Sequence, residues 1–137
     1  MKEIIVPASV KHVDEITDFV NTELEELSCP MKAQMQIDVA IDEIFGNIAR
    51  YAYDSESGEA IIRVDSEDDA LSVSITFIDS GKPFDPLKRD DPDVTLPAEE
   101  RDIGGLGIFV VKKTMDNIEY KYENGQNILK IKKRIDG

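Results

Sequence analysis

Residues 38–53, DVAIDEIFGNIARYAY, have the apolar spacing of a helix with one buried face. A second face of that helix carries Glu43, Asn47 and Arg50 at positions i, i+4 and i+7, which stack in one line. The pattern predicts a carboxylate, a carboxamide and a guanidinium aligned beside the core, although an ordinary solvated polar face fits this helix equally well. The residues predicted to be buried recur three or four positions apart, at Ile37, Ile41, Ile44, Phe45, Ile48 and Ala52.

Length and composition predict one domain, residues 1–137, because 137 residues at 41% hydrophobic content supply a single core. The sequence has neither a run of eighteen apolar residues nor the features of a signal peptide, so we expect a cytoplasmic chain without membrane contact. One cysteine and one histidine do not suffice for an internal disulfide or a Cys/His metal cluster.

The formal net charge of −13 disfavours direct binding of nucleic acid, whose phosphates are bound by clustered Lys and Arg. An acidic surface suits a basic protein partner, because complementary potentials speed encounter and suppress wrong pairings. The same charge also serves solubility, and composition alone does not separate these two uses.

The remaining apolar patterns predict the order strand, helix, helix, two strands, loop, helix, two strands. This order indicates an α/β two-layer sandwich, in which about three helices cover one face of a mixed, mostly antiparallel sheet. Asn124-Gly125 is a strong hairpin-turn pattern between the last two strands. The predicted elements are strand 2–6, helix 10–27, helix 30–53, strands 60–64 and 71–77, helix 108–115, and strands 117–122 and 128–135.

Two further segments carry residues suited to binding a nucleotide. Asp79-Ser80-Gly81 closes a strand and places a carboxylate, which could accept from an adenine amino group, beside a conformationally free residue. Taken alone, an ordinary turn explains that segment better. Glycines 104, 105 and 107 open a helix and would let backbone N–H groups approach a phosphate. Between the two segments, residues 80–103 lack periodicity, as functional or disordered loops do.

Together and in this order, the three segments resemble the nucleotide-binding boxes of the GHKL superfamily, which includes gyrase, heat-shock chaperones, histidine kinases and mismatch-repair ATPases. Within that superfamily the chain is similar, over nearly its whole length, to the bacterial anti-sigma-factor serine/threonine kinases. The resemblance implies the Bergerat ATP-binding fold. The segments that carry it are IIVPASVKHVDEITDFV, DEIFGNIARYAY, DSGKPFDP and RDIGGLGIFVVKKTMD.

The resemblance also implies a role for each matched residue, with ATP and Mg²⁺ as cofactors. Asn47 would bind the magnesium ion, Glu43 would act as the base for the attacking hydroxyl, and Arg50 would contact the phosphates. Asp79 would recognise the adenine, and Gly81 would let the base approach.

The glycine-rich segment and its surroundings receive the other implied roles. Gly104, Gly105, Leu106 and Gly107 would wrap the phosphates, and the loop 82–103 would form a lid over the nucleotide. Arg101, at the end of that loop, would stabilise charge on the transferring phosphoryl group. Two departures from the family pattern affect lid geometry and phosphate contacts: Lys82-Pro83-Phe84 follows Gly81, and Gly125-Gln126-Asn127 stands where many relatives carry a Gly-Thr pair. Asn127 would then replace the threonine hydroxyl in binding the nucleotide.

The function implied by the resemblance is an ATP-dependent protein serine/threonine kinase that acts as an anti-sigma factor. Such a protein holds a sigma factor until an unphosphorylated STAS-type antagonist displaces it, phosphorylates that antagonist, and is expected to be a homodimer. The alternative is a nucleotide-gated binding module that sequesters a partner without phosphoryl transfer. A split histidine kinase is disfavoured, because no docking or phosphoacceptor helices are visible.

Overall fold

The computed structural model describes residues 1–53, 58–67, 71–88 and 105–135. The predicted order of strands and helices is confirmed in these ranges. The elements are β1 (Lys2–Pro7), a 3₁₀ turn (Val10–His12), α1 (Val13–Glu26), α2 (Met31–Asn47), a π-helical turn (Ile48–Ala52), β2 (Glu59–Glu67), β3 (Ser72–Asp79), a second 3₁₀ turn (Pro86–Lys88), α3 (Gly105–Thr114), β4 (Asn117–Glu123) and β5 (Gln126–Arg134).

The five strands form one sheet in the order β1-β2-β3-β5-β4. Every pairing in the described sheet is antiparallel, whereas the prediction allowed a mixed sheet. The β4–β5 turn contains Asn124 and Gly125 at φ 54° and 78°, as a tight hairpin turn requires. This hairpin folds back so that β5 pairs with β3, and Asn127 lies opposite Asp79 in the register.

The helices pack on one face of the sheet, and this arrangement confirms the predicted two-layer sandwich. All six apolar residues predicted for the buried face of α2 are buried, so the periodicity identified that face correctly. The main side chains of the shared core are Val6, Ile16, Val20, Leu24, Ile37, Ile41, Phe45, Ile62, Ile75, Phe77 and Ile131. In the described part of the chain, no helix is both long and apolar enough to span a membrane.

The end of α2 differs from the continuous helix predicted up to Tyr53. Regular α-helix ends at Asn47, and residues Ile48–Ala52 form a wider π-helical turn. Such turns are rare and are found frequently at functional sites. Apolar spacing did not reveal this change, because Ile48 and Ala52 remain buried in either geometry.

Candidate functional site

The predicted polar row on α2 is a hydrogen-bonded chain. Asn47 Nδ2 donates to Glu43 Oε1 at 3.4 Å, and Arg50 Nη2 donates to Asn47 Oδ1 at 3.0 Å. Asn47 is only 9% exposed, while Glu43 is half-buried and Arg50 is exposed. A buried carboxamide between two charged side chains differs from a solvated helix face, so the structure favours the functional interpretation of this row.

The start of α3 packs directly against Glu43. A Cβ atom built on Gly107 would lie 2.1 Å from Glu43 Oε2, so a larger residue at this position would displace the Glu43 carboxylate. The first turn of α3 therefore lies beside the polar row. The N-terminal turn of a helix carries unpaired N–H groups and a partial positive charge, which together favour bound anions such as phosphates.

Asp79 ends β3 as a buried carboxylate, 5% exposed. Its Oδ1 accepts from the backbone N–H of Gly81 and from Asn127 Nδ2, both at 2.9 Å. Among the described residues, no hydrogen-bond donor reaches Oδ2. Burial raises the pKa of Asp79, and the bonds from Asn127 and Gly81 offset only part of that rise. A buried carboxylate with one unused oxygen is an acceptor for a ligand's donor group.

Asn127 uses its whole hydrogen-bonding capacity within the protein. Nδ2 donates to Asp79 and to the Lys82 carbonyl oxygen at 2.9 Å, and Oδ1 accepts from the Phe84 N–H at 3.1 Å and from the Tyr120 hydroxyl. This side chain therefore fixes both Asp79 and the segment after β3. Direct contact between Asn127 and a nucleotide stays a prediction.

Gly81 is also held by close packing. A Cβ atom at Gly81 would lie 2.1 Å from the carbonyl oxygen of Ala52, and the next residue, Lys82, donates its N–H to that same oxygen at 2.9 Å. The resemblance predicted that Gly81 lets the adenine base approach. The geometry adds a structural reason for glycine, because the end of the π-helical turn occupies the space of any larger side chain.

A narrow pocket of about 30 Å³ opens between α2, β3, β5 and α3. Asp79 and Asn47 contribute polar groups to walls that are otherwise mostly apolar. The exposed ring of Phe84 lines the pocket and packs against Tyr51, with ring centroids 5.4 Å apart. The lining suits a flat, apolar ligand that carries a hydrogen-bond donor, and admitting such a ligand requires the pocket to widen. Its apolar lining consists of Ile44, Ile48, Ala52, Phe77, Phe84, Pro86, Ile108 and Leu129.

Several residues of this pocket were not anticipated from sequence. Tyr120 lines it, and Phe84 lines it although the prediction placed this residue only in the lid. Tyr53 supports the pocket by accepting from the Ser80 N–H at 2.8 Å and donating to the Glu59 carbonyl at 2.7 Å. The sequence feature that could have identified such residues is the presence of aromatic side chains next to the predicted nucleotide-binding segments.

The glycine-rich segment is described only in part. Gly105, Leu106 and Gly107 begin α3. Two predicted site residues, Arg101 and Gly104, lie outside the described residues, as does most of the predicted lid.

The site offers few protein ligands for a metal ion. Within the described ranges, no group of three or more His, Cys, Asp or Glu residues could hold one. Magnesium suits such a site, because it usually binds through one or two side chains together with substrate phosphates and water. The Oδ1 atom of Asn47 is a ligand of that kind, and it now accepts from Arg50.

Comparisons with known proteins agree with this geometry. The profile of the histidine kinase-like ATPase domain matches residues 6–133. Over 98 residues, or 69% of this chain, the sequence is 32% identical to proteins named serine-protein kinase RsbW from Bacillus cereus and from Bacillus thuringiensis subsp. konkukian. The aligned part spans 60% of each of these relatives.

Solved structures share the fold at low sequence identity. The RsbU and RsbW domains of Rv1364c from Mycobacterium tuberculosis match 98% of this chain and 33% of that chain, with a TM-score of 0.64 and 11% identity. A histidine kinase domain from Erythrobacter litoralis EL346 matches 77% of this chain and 46% of its own length, with a TM-score of 0.55 and 14% identity. These likenesses confirm the predicted fold class.

Proposed function

This chain belongs to the histidine kinase-like ATPase family, and from that premise we propose that it is an ATP-dependent protein serine/threonine kinase. The observation that carries the proposal is the polar row, in which Glu43 lies one helical turn from the buried Asn47 and against the start of α3. A carboxylate, an amide oxygen and a helix N-terminus at one place are the groups that phosphoryl transfer requires.

Asp79 is the proposed adenine-recognising residue. Its Oδ2 atom has no donor among the described residues, and the amino group of adenine would supply one within an apolar pocket. Asn127 keeps the carboxylate in place, because its own four hydrogen-bonding positions are all used by the protein. The adenine site is therefore rigid on the side that selects the base.

Asn47 is the proposed ligand of Mg²⁺, which when bound neutralises charge on the phosphates. Arg50 donates to the same Oδ1 atom and is exposed, so it is free to turn toward an anion. The phosphates would then lie between Asn47 and the first turn of α3, where backbone N–H groups favour negative charge. Gly107, and the predicted contributions of Gly104, Gly105 and Leu106, belong to this part of the site.

Glu43 is the proposed general base. It is half-buried and stands at the edge of the polar row, where the hydroxyl of a protein substrate can approach. As that oxygen bonds to the terminal phosphorus of ATP, its proton passes to Glu43 and the bond to the bridging oxygen breaks, so ADP leaves. Direct reach to the hydroxyl, or reach through one water, is the geometric requirement. Arg101 is the proposed residue that stabilises the charge on the transferring group.

The proposed partners are a sigma factor, which the protein holds, and a STAS-type antagonist, which it phosphorylates. The support is the name of the aligned relatives, serine-protein kinase, together with the resemblance to anti-sigma kinases. A net charge of −13 favours encounter with a basic partner surface. Both partners act in the cytoplasm, which is the proposed location of this chain.

A homodimer is also proposed, and the sheet face opposite the helices supports it. Ile5, Ile61, Ile78 and Ile128 are register partners across four neighbouring strands. They alternate with core residues along each strand and therefore point away from the helices. Ile5 is 53% exposed. Ile78 is only 4% exposed, so the surface suited to pairing with a second copy is the exposed Ile5 on the edge strand together with the half-buried Ile61 and Ile128.

The alternative function is a nucleotide-gated module that holds a partner without modifying it. In this alternative, the pocket at Asp79 still binds the nucleotide, but Glu43 takes no part in a chemical step. Incubation of labelled ATP and Mg²⁺ with unphosphorylated STAS proteins separates the two functions. The kinase proposal expects phosphoserine or phosphothreonine that the Glu43→Ala variant fails to produce. Transfer that survives this substitution would remove Glu43 from the mechanism, and binding without transfer by the wild-type chain would support the alternative.

A nucleotide titration followed by thermal unfolding tests the site independently of any partner. Ligand at one hundred times its Kd stabilises by about 2.7 kcal/mol. Wild-type protein is expected to respond to ATP, and Asn47→Ala is expected to lose the magnesium-dependent part of that response. If ATP leaves the wild-type unfolding curve unchanged, the kinase proposal and its alternative are both wrong.

A further inference from the structure

Arg50 carries a positive charge that no carboxylate among the described residues neutralises. Its one hydrogen bond within that part of the chain runs from Nη2 to Asn47 Oδ1 at 3.0 Å, and its guanidinium lies 5.7 Å from the centre of the Tyr51 ring. The chain has a net charge of −13, so carboxylates are plentiful. An arginine that contacts a neutral amide and an aromatic ring instead of an acid therefore keeps its charge available to a ligand.

The local structure holds the guanidinium beside Asn47. Long side chains on a helix point back toward its N-terminus, and Arg50 reaches back over Gly46 in this way. A Cβ atom at Gly46 would lie 3.2 Å from Arg50 Nη1, and its three nearest atoms would all belong to the guanidinium. Glycine is unfavourable inside a helix, but here it leaves the space that the guanidinium fills. Gly46 thus allows Arg50 and Asn47 to meet.

The oxygen to which Arg50 donates is the atom proposed to bind Mg²⁺. The nitrogen of the same amide is also engaged, because Asn47 Nδ2 donates to Glu43 Oε1 at 3.4 Å. These two hydrogen bonds fix the orientation of the amide. A divalent cation on Oδ1 would lie next to the guanidinium, and positive charges at such short range repel each other. Arg50 and a metal ion therefore compete for Asn47 Oδ1.

We propose that Arg50 keeps metal ions off Asn47 until a nucleotide is present, an inference that rests on the proposed function. A phosphate group offers the guanidinium charged, bidentate acceptors, which bind it more strongly than a neutral amide does. When phosphates enter, Arg50 leaves Asn47 Oδ1 and turns toward them, and the oxygen becomes available to the metal ion that accompanies the nucleotide. Arg50 is thus a positioning residue that makes metal binding depend on nucleotide binding.

Metal binding to the nucleotide-free protein tests this exclusion without any turnover. The probe is Mn²⁺, because the electron paramagnetic resonance of the free ion gives its Kd directly. Arg50→Met removes the cation and keeps a long side chain that favours helix. The matched control is Arg63→Met, which removes the same charge from an arginine that pairs with Glu3 on the other face of the sheet.

We expect Arg50→Met to lower the Kd for Mn²⁺ at least about tenfold relative to wild type, because no cation then competes for Asn47 Oδ1. Arg63→Met should stay within about twofold of wild type, because its charge is remote and screened by salt. Adding Asn47→Ala to Arg50→Met should abolish the gain. This double variant separates exclusion at Oδ1 from a general attraction of cations to an acidic surface.

Side-chain NMR signals report the movement of Arg50. The Nε–H signal of Arg50 is identified by its loss in Arg50→Met, and the amide signals of Asn47 by their loss in Asn47→Ala. Both sets should shift when ATP is added in the presence of EDTA, because phosphates alone draw the guanidinium away. Arg50→Met should also raise the Kd for metal-free ATP by about tenfold, as the loss of one charge-assisted hydrogen bond implies.

Three outcomes would overturn the inference and leave the nucleotide site intact. The first is an equal Kd for Mn²⁺ in wild type and Arg50→Met. The second is a gain in Mn²⁺ binding that survives Asn47→Ala. The third is ATP binding that leaves the Arg50 and Asn47 signals unchanged. If ATP does not bind the wild-type chain, the proposed function is wrong, and the Mn²⁺ comparison still decides whether Arg50 excludes a cation from Asn47.

Discussion

Replacing Asp79 by asparagine changes one functional group in the pocket and leaves its supports in place. The amide oxygen of asparagine can still accept from Gly81 and Asn127, which both bond Oδ1 in the structure. The oxygen that faces a ligand becomes an NH₂ group. Adenine would then meet a donor where the proposed site offers an acceptor, so recognition should fail without loss of fold.

The expected loss of affinity follows from a single hydrogen bond. A bond to a charged group contributes about 1.5–3 kcal/mol, which corresponds to a roughly 10- to 150-fold higher Kd for ATP. At an ATP concentration of one hundred times the wild-type Kd, a thirtyfold weaker variant would be stabilised by about 0.9 kcal/mol instead of about 2.7 kcal/mol. Isothermal titration calorimetry measures the Kd for ATP, and thermal unfolding measures the stabilisation by ATP. Asp65→Asn is a suitable control, because it removes the same charge from a half-exposed site.

The pH dependence of the unliganded protein's stability is an independent test, because the direction of the change with pH is defined. Burial raises the pKa of Asp79, so the native state binds a proton more readily than the unfolded chain. The free energy of unfolding therefore falls as pH rises from the ordinary aspartate pKa through the raised one. Asp79→Asn removes this dependence, and we expect its stability relative to wild type to improve toward neutral pH. ATP binding within threefold of wild type, or a stability difference independent of pH, would refute the assignment.

Three further predictions test the supports of the site and its surfaces. Gly107→Ala displaces the flexible end of Glu43, so we expect most phosphoryl transfer to be lost while the free energy of unfolding in denaturant changes little. Tyr53→Phe removes the hydroxyl that accepts from Ser80 and should lower the free energy of unfolding by about 0.5–1.5 kcal/mol, with weaker ATP binding; unchanged values would contradict its role. Ile5→Lys should yield monomers in sedimentation with normal ATP binding, because lysine is tolerated on an edge strand.

The sequence predicted the parts of the site that depend on local spacing. Glu43, Asn47 and Arg50 form one row because residues three and four apart meet on any helix. The burial of Ile41 and Phe45 follows from the same periodicity. These relations hold whatever the rest of the chain does, so a single sequence is sufficient to recognise them.

The parts that depend on the pairing of distant strands were not predictable. Asn127 reaches Asp79 only because β5 pairs with β3. No local sequence pattern determines the order of the strands in the sheet. The bond from Tyr120 to Asn127, by contrast, is local, because it lies within the β4–β5 hairpin. The contact between Gly107 and Glu43 likewise requires α3 to pack on α2.

The end of α2 and the segment after β3 are joined closely enough to act as one support. Ala52 accepts from the Lys82 N–H and leaves no room for a side chain on Gly81, while Tyr53 accepts from the Ser80 N–H. Asn47 immediately precedes the π-helical turn that ends at Ala52. A ligand that orders the segment at Asp79 therefore also orders the turn that follows the polar row. This connection gives adenine binding a structural route by which it can align the groups proposed to hold magnesium and transfer the phosphoryl group.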